Sequence, residues 1–191
     1  VSWFSPRRDA QRTGSGPANI DASVDSGSTN FFIPEFGINW KYRDNLAFGL
    51  TVYGNGGMNT DYPGGQIPIQ SACYQFRGGQ GAPYNLLCGS DQLGVDLTQL
   101  ILAPYAAWQV AKGHSLGIAP LVAYQRFKAE GLQAFDNPAF STAPGAVTNN
   151  GYDDAWGFGV RLGYMGQLTE QFALGVTWSS KVSMGNFDKY K

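Results

Sequence analysis

Charge is scarce in this sequence. Asp, Glu, Lys and Arg make up 14% of its 191 residues, against about 25% in ordinary soluble domains. The 13 basic residues nearly balance the 14 acidic ones, so the basic excess that marks a nucleic-acid surface is missing. Histidine occurs once, at His114, and cysteine twice, at Cys73 and Cys88. That supply is too thin and too dispersed for a metal centre, and no cofactor site is expected. His114 has no Ser/Asp arrangement around it, and Asp153-Asp154 reads as a solvated pair at a loop end. No catalytic set is therefore assigned and no enzyme is expected. No run approaches the roughly 18 apolar residues of a membrane-spanning helix. Strands escape that test, because half of each faces the other way. The chain opens on Val1 without a signal peptide, so its start is not expected to be a natural one.

What is present is apolar residues in strict alternation, among 26 glycines and 14% aromatics. Over 155–165, Trp156, Phe158, Val160, Leu162 and Tyr164 face Ala155, Gly157, Gly159, Arg161 and Gly163. Leu116, Ile118, Pro120, Val122 and Tyr124 repeat the pattern, as do Phe32, Pro34, Phe36, Ile38 and Trp40. Leu46, Phe48, Leu50 and Val52 follow it, then Leu100, Leu102, Pro104, Ala106 and Trp108, and finally Phe172, Leu174, Val176 and Trp178. Period 2 belongs to strands. A soluble sandwich or lipocalin-like barrel would show Lys, Glu and Thr opposite its apolar face. Here the opposite face is Gly, Ala and isolated polar groups, as when lipid lies outside and a lumen inside.

About seven strands follow, the first reduced to residues 1–5. Their connections alternate short (near 43, 112 and 169) and long (about 6–29, 54–94 and 131–150). Up-and-down strands place all short turns at one end and all long loops at the other, as in outer-membrane barrels with short periplasmic turns and long extracellular loops. Aromatics sit at both girdle levels: Trp40, Trp108, Tyr164 and Phe172 near the turns, Tyr124, Trp156 and Trp178 toward the loops. The fold expected is an all-β antiparallel transmembrane barrel in the bacterial outer membrane, in contact with its lipid. Seven strands break the even-number rule of single-chain bacterial barrels, and residues 187–191 do not read as a closing strand. The chain is thus expected to be part of a larger barrel, monomeric when complete.

Cys73 and Cys88 lie in one Gly/Pro-rich loop, and a disulfide formed in an oxidising compartment is expected. It would contribute about 3 kcal/mol by restricting the unfolded chain. Glu35, Tyr53 and Arg161 fall on the inward parity and are lumen candidates, with Arg161 a cation available to a carboxylate. Ile67, Ile69, Leu86 and Leu87 put apolar groups on the longest loop. They form either a landing groove for a hydrophobic ligand or the loop's own packing. Gly54, Asn55, Gly56 and Gly57 interrupt the third strand. A glycine cluster marks a bulge or bend, or else simply begins a surface loop.

Phe31-Phe32-Ile33-Pro34-Glu35-Phe36, followed by Val52-Tyr53-Gly54-Asn55-Gly56-Gly57-Met58-Asn59-Thr60-Asp61-Tyr62, resembles the FadL-type outer-membrane transporters. Asp154-Ala155-Trp156-Gly157-Phe158-Gly159 and Val176-Thr177-Trp178-Ser179-Ser180-Lys181-Val182 continue the likeness, which covers essentially the whole chain. The resemblance implies a barrel of about fourteen strands plugged by an N-terminal hatch, with hatch and second half outside this sequence. It also implies passive uptake of long-chain fatty acids or hydrocarbons, with sideways exit at a strand kink matching Gly54–Gly57. The competing expectation is a structural or adhesive barrel whose long loops hold a surface partner.

Overall fold

In a computed structural model, residues 1–14 and 21–190 are described; part of the first long loop, 15–20, lies outside them. The main sheet is an antiparallel meander of consecutive strands: β5 (Glu35–Arg43), β6 (Leu46–Tyr62), β7 (Leu93–Ala111), β8 (His114–Glu130), β9 (Asp153–Gln167) and β10 (Ala173–Ser179). Short β11 (Ser183–Met184) continues β10 along β9. Two two-stranded sheets stand apart from it, β1 (Ser2–Phe4) with β4 (Phe31–Ile33), and β2 (Asp9–Arg12) with β3 (Ala22–Asp25). Within β5–β10 each strand pairs with its sequence neighbour, and the tight turns at Asp44-Asn45 and Lys112-Gly113 fix the registers of β5–β6 and β7–β8. Gly113, at φ 79°, supplies the left-handed residue that the second turn needs.

Alternation decides the faces. Trp40, Trp108, Leu116, Trp156, Phe158 and Trp178 are each about half exposed or more on the outer face. So large an apolar surface is far beyond what water tolerates and fits hydrocarbon, with the backbone satisfied within the sheet. Trp156 meets Tyr124 across strands at 5.0 Å between rings. On the concave face, Ile101, Ala103, Ala119, Leu121 and Ala123 are buried, with Tyr53, Tyr105, Val182 and Met184 packed on them. Tyr105 lies across Gly49, where a Cβ would come within 2.3 Å of its ring. That glycine is therefore required by close approach. The β7–β8 ladder lapses between Leu102–Val122 and Ala106–Ile118. Pro104 and Pro120 sit in that stretch, and neither has an N–H to donate.

Three boundaries differ from those the sequence suggests. The strand expected over 30–42 is cut at Pro34: β4 pairs with β1, and only β5 joins the main sheet. The glycines at 54–57 do not begin a loop, because β6 runs through them to Tyr62 and the long loop starts at Pro63. The last strand does not keep its parity: Ser179 pairs with Arg161 but Ser183 with Phe158, one residue out of step. This bulge at Ser180–Val182 sets Val182 and Met184 against Gly157 and Gly159 on the concave face.

The loop over 63–92 has its own core of Ile67, Cys73, Tyr84 and Cys88, built around a short helix α1 (Cys73–Arg77). Cys73 and Cys88 form a disulfide. Fully buried Asn85 accepts from the N–H groups of Leu87 (3.0 Å) and Gly89 (2.9 Å) and donates to the Gly131 carbonyl at 2.9 Å. One side chain thus ties two long loops together.

Candidate functional site at a break in the wall

β6 carries one residue too many. Gly54 pairs with Leu100 but Gly56 with Gln99, so Asn55 is the inserted residue and donates its side-chain amide to Gln99 Oε1 at 2.6 Å. Below the bulge the even residues of β6 face outward. Above it Met58 stands opposite Leu97 on the lumen side, and Asn59 opposite Asp96 on the outside. A bulge bends its strand and sharpens the local twist. Glycine at 54, 56 and 57 permits this, and nothing lies within 4 Å of where a Gly56 side chain would project.

The neighbouring strand departs at the same level. Pairing of β5 with β6 ends at Glu35–Tyr53, followed by one further bond from the Gly54 N–H to the Pro34 carbonyl (3.1 Å). Backbone hydrogen bonding with the chain on that side resumes, among the described residues, only at Asp61, whose carbonyl accepts from the Gly27 N–H at 2.7 Å. Among the described residues, 55–60 have no backbone hydrogen bond on this side. Pro34 lacks an N–H and keeps Ile33 out of the helical region, so it is suited to ending the pairing.

A cavity of about 300 Å³ fills the gap. Phe4, Phe31, Ile33 and Pro34 line it from the β1–β4 side, Leu97 and Leu100 from β7. Its walls are mainly apolar, as ligand pockets are. Arg8 and Asp96 are its charged residues. Asp96 accepts a hydrogen bond from the Tyr152 hydroxyl at 2.6 Å. That bond raises the Tyr152 pKa above its ordinary value, with burial adding to the rise.

The lumen candidates gather beside this gap. Arg161 reaches over the buried alanines of the concave face: its Nε donates to Ser179 Oγ at 2.9 Å and its Nη2 to the Tyr53 hydroxyl at 3.2 Å. Glu35 is the register partner of Tyr53. Glu35, Tyr53 and Arg161 thus lie just below Gly54. The loop candidates divide. Ile67 and Leu86 are buried in the loop's own packing, whereas Ile69 and Leu87 are about 40% exposed. They do not share one surface. His114 is held by Tyr164, with Nδ1 2.8 Å from the hydroxyl. Among the described residues no three potential metal ligands come together.

Arg8, Asn85 and Tyr152 carry much of this geometry, and the sequence does not mark them. Arg8 lies in a polar stretch without periodicity. Asn85 and Tyr152 act through partners 46 and 56 residues away.

The chain as a whole is similar to the solved structure of the P. putida toluene transporter TodX, at TM-score 0.63 over 97% of this chain. The fold is that of TodX. Sequence identity to TodX is 16%, and the match covers 46% of the TodX chain, so this sequence spans about half the length of that protein. Compared with protein-family models and with curated proteins, the sequence matches none. The correspondence with TodX therefore rests on architecture, a barrel wall of antiparallel strands.

Proposed function

We propose that this chain forms part of the wall of an outer-membrane channel for passive uptake of hydrophobic compounds, long-chain fatty acids or hydrocarbons. In this reading the ligand leaves the lumen sideways through the gap at Gly54–Gly57. The observation that carries it is the coincidence, at one level of the wall, of an inserted residue, a departing neighbour strand and an apolar cavity. A barrel has no reason to leave backbone groups unpaired against lipid, because each costs several kcal/mol there. Such a break is tolerable where protein or ligand covers it. TodX, a toluene transporter by its description, shares the fold and makes a hydrophobic cargo the natural one.

No covalent step is needed. An apolar solute passing from lumen to lipid through an apolar cavity avoids the polar outer surface, which is the barrier to direct entry. Glu35, Tyr53 and Arg161 stand at the inner side of that passage, and Ile69 and Leu87 remain as apolar points on the loop cap.

The test is uptake in cells by the complete protein carrying Gly56→Val with Gly57→Val. Gly56 would project its side chain into open space, and a Cβ on Gly57 would come within 3.0 Å of the Leu97 carbonyl. Uptake of oleate or toluene should fall at least about tenfold, the effect of about 1.4 kcal/mol of added barrier. Normal uptake by a correctly folded double variant would remove the sideways exit.

A further inference from the structure

The outer face of the wall changes character just above the girdle pair Tyr124 and Trp156. Two residues further along β8, a step of about 7 Å in a strand, the same face carries Arg126, and two further on Lys128. Across on β7 their register partners are Thr98 and Asp96. Tyr152 lies over this patch: the Arg126 guanidinium is 3.9 Å from its ring centre and the Lys128 ammonium 5.0 Å. The bond from its hydroxyl to Asp96 at 2.6 Å fixes the ring. Lys128 is paired with Glu130 at 2.8 Å. Arg126 is exposed, and it has no hydrogen-bond or ion-pair partner among the described residues, although Asp154 stands across from it on β9. Beside these cations a polar cavity of about 170 Å³ is lined by Asn59, Asp61, Gln92, Asp96, Glu130 and Tyr152.

We infer that this patch is a binding site for the phosphorylated sugar head of an outer-leaflet glycolipid, whose acyl chains lie on the girdle and the apolar face below it. Three layers stand in the order that such a lipid requires: apolar rings, then cations, then a polar cavity. Cations beside a membrane-spanning segment are a recurrent means of holding lipid head groups. Stacking on Tyr152 orients the Arg126 guanidinium and leaves its planar fork open to two phosphate oxygens. The cavity suits the sugar. Its carboxylates and amides accept hydrogen bonds from hydroxyls, and they repel a second phosphate from the same space. Tyr152 is 40% exposed, so a ligand reaches both the ring and the cation stacked on it. A glycerol phosphate head would satisfy Arg126 and leave the cavity unused. The inference depends on the wall standing in an outer membrane and not on passage through the gap, since no residue of 54–57 belongs to the patch.

Lipid binding to the purified complete protein in a neutral detergent, followed by native mass spectrometry, tests this. The probes are diphosphoryl lipid A, its fully dephosphorylated form and dioleoylphosphatidylglycerol, which has a phosphate but no sugar. Wild type should hold diphosphoryl lipid A at least about tenfold tighter than either of the others. Arg126→Gln should bring diphosphoryl lipid A down to the level of the dephosphorylated form and leave phosphatidylglycerol unchanged, while Arg126→Lys should retain part of the difference. Tyr152→Leu, which removes the stacking ring, should weaken diphosphoryl lipid A in the same direction. The gel mobility of the folded barrel shows that each variant is intact. Equal binding of the phosphorylated and dephosphorylated forms by wild type overturns the inference, and so does full binding of diphosphoryl lipid A by a folded Arg126→Gln variant. Phosphatidylglycerol held as tightly as diphosphoryl lipid A also overturns it, because the patch would then attract anionic lipid without recognising the sugar.

Discussion

Two of the one-residue insertions in the wall, Asn55 in β6 and Lys181 between β10 and β11, lie away from the tight turns, and they do opposite things. Each shifts the pairing by one and reverses the sequence parity of the residues beyond it. At Asn55 the neighbouring strand has turned away at Pro34, so the bend borders an apolar cavity. At Lys181 the ladder closes at once, with Ser180 N–H bonded to the Val160 carbonyl at 2.9 Å and Gly185 N–H to that of Trp156 at 2.8 Å. Val182 and Met184 then fill the notches left by Gly157 and Gly159, where a Cβ on Gly157 would sit 2.1 Å from Met184 Sδ. A bulge by itself is therefore not an opening. What the partner strand does at that level decides between a gap and a seal.

The sealing bulge offers the largest expected effect. Val182→Ala with Met184→Ala removes the apolar groups packed on the concave cluster and should cost about 3 kcal/mol of stability. Urea unfolding followed by the gel mobility of the folded barrel would measure it, with uptake per folded molecule unchanged. If stability held and uptake changed, the second bulge would also lie on the ligand path and the contrast would collapse.

Deleting Asn55 addresses the opening bulge. Every other residue keeps its face, because only the inserted one is lost, and β6 straightens toward β5. Uptake should fall at least about tenfold while the unfolding midpoint stays level or rises. Undiminished uptake would mean that the departure of β4 alone makes the gap.

The smallest effect probes the β7 frame next to the opening. Tyr152 keeps its proton to higher pH than an ordinary tyrosine, at 10.0, because it donates to Asp96. Its contribution to stability is complete below the unfolded-state value and disappears as pH rises through the elevated one. The ultraviolet titration difference between wild type and Tyr152→Phe should show a midpoint above 10.0. Asp96→Asn should bring that midpoint down.

Much of the architecture is legible residue by residue. Trp156, Phe158, Val160, Leu162 and Tyr164 announce a strand by their period of 2, and Ala155, Gly157, Gly159 and Gly163 opposite them mark the greasy side as the one toward lipid. Lys112-Gly113 announces its turn because few residues accept φ 79° as glycine does. The glycines at 54–57 marked the place of the interruption, but not that β6 survives it, because glycine serves bends and loop starts equally. Arg8 was illegible: an arginine in an aperiodic stretch carries no signal until Ser28 and Phe31 surround it. Ile67 and Ile69 look equivalent in sequence, yet one is buried and the other exposed, because the loop's packing and its disulfide choose between them.

By itself, then, the sequence determined the strands, their order and which face of each is greasy. These depend on period and on turn residues, both local in the chain. Tertiary structure alone decided that one bulge opens and the other seals, and that Arg161 reaches Tyr53, the register partner of Glu35, beside the gap. Those outcomes depend on what stands across from a residue, and in a sheet the group across can come from a hundred positions away.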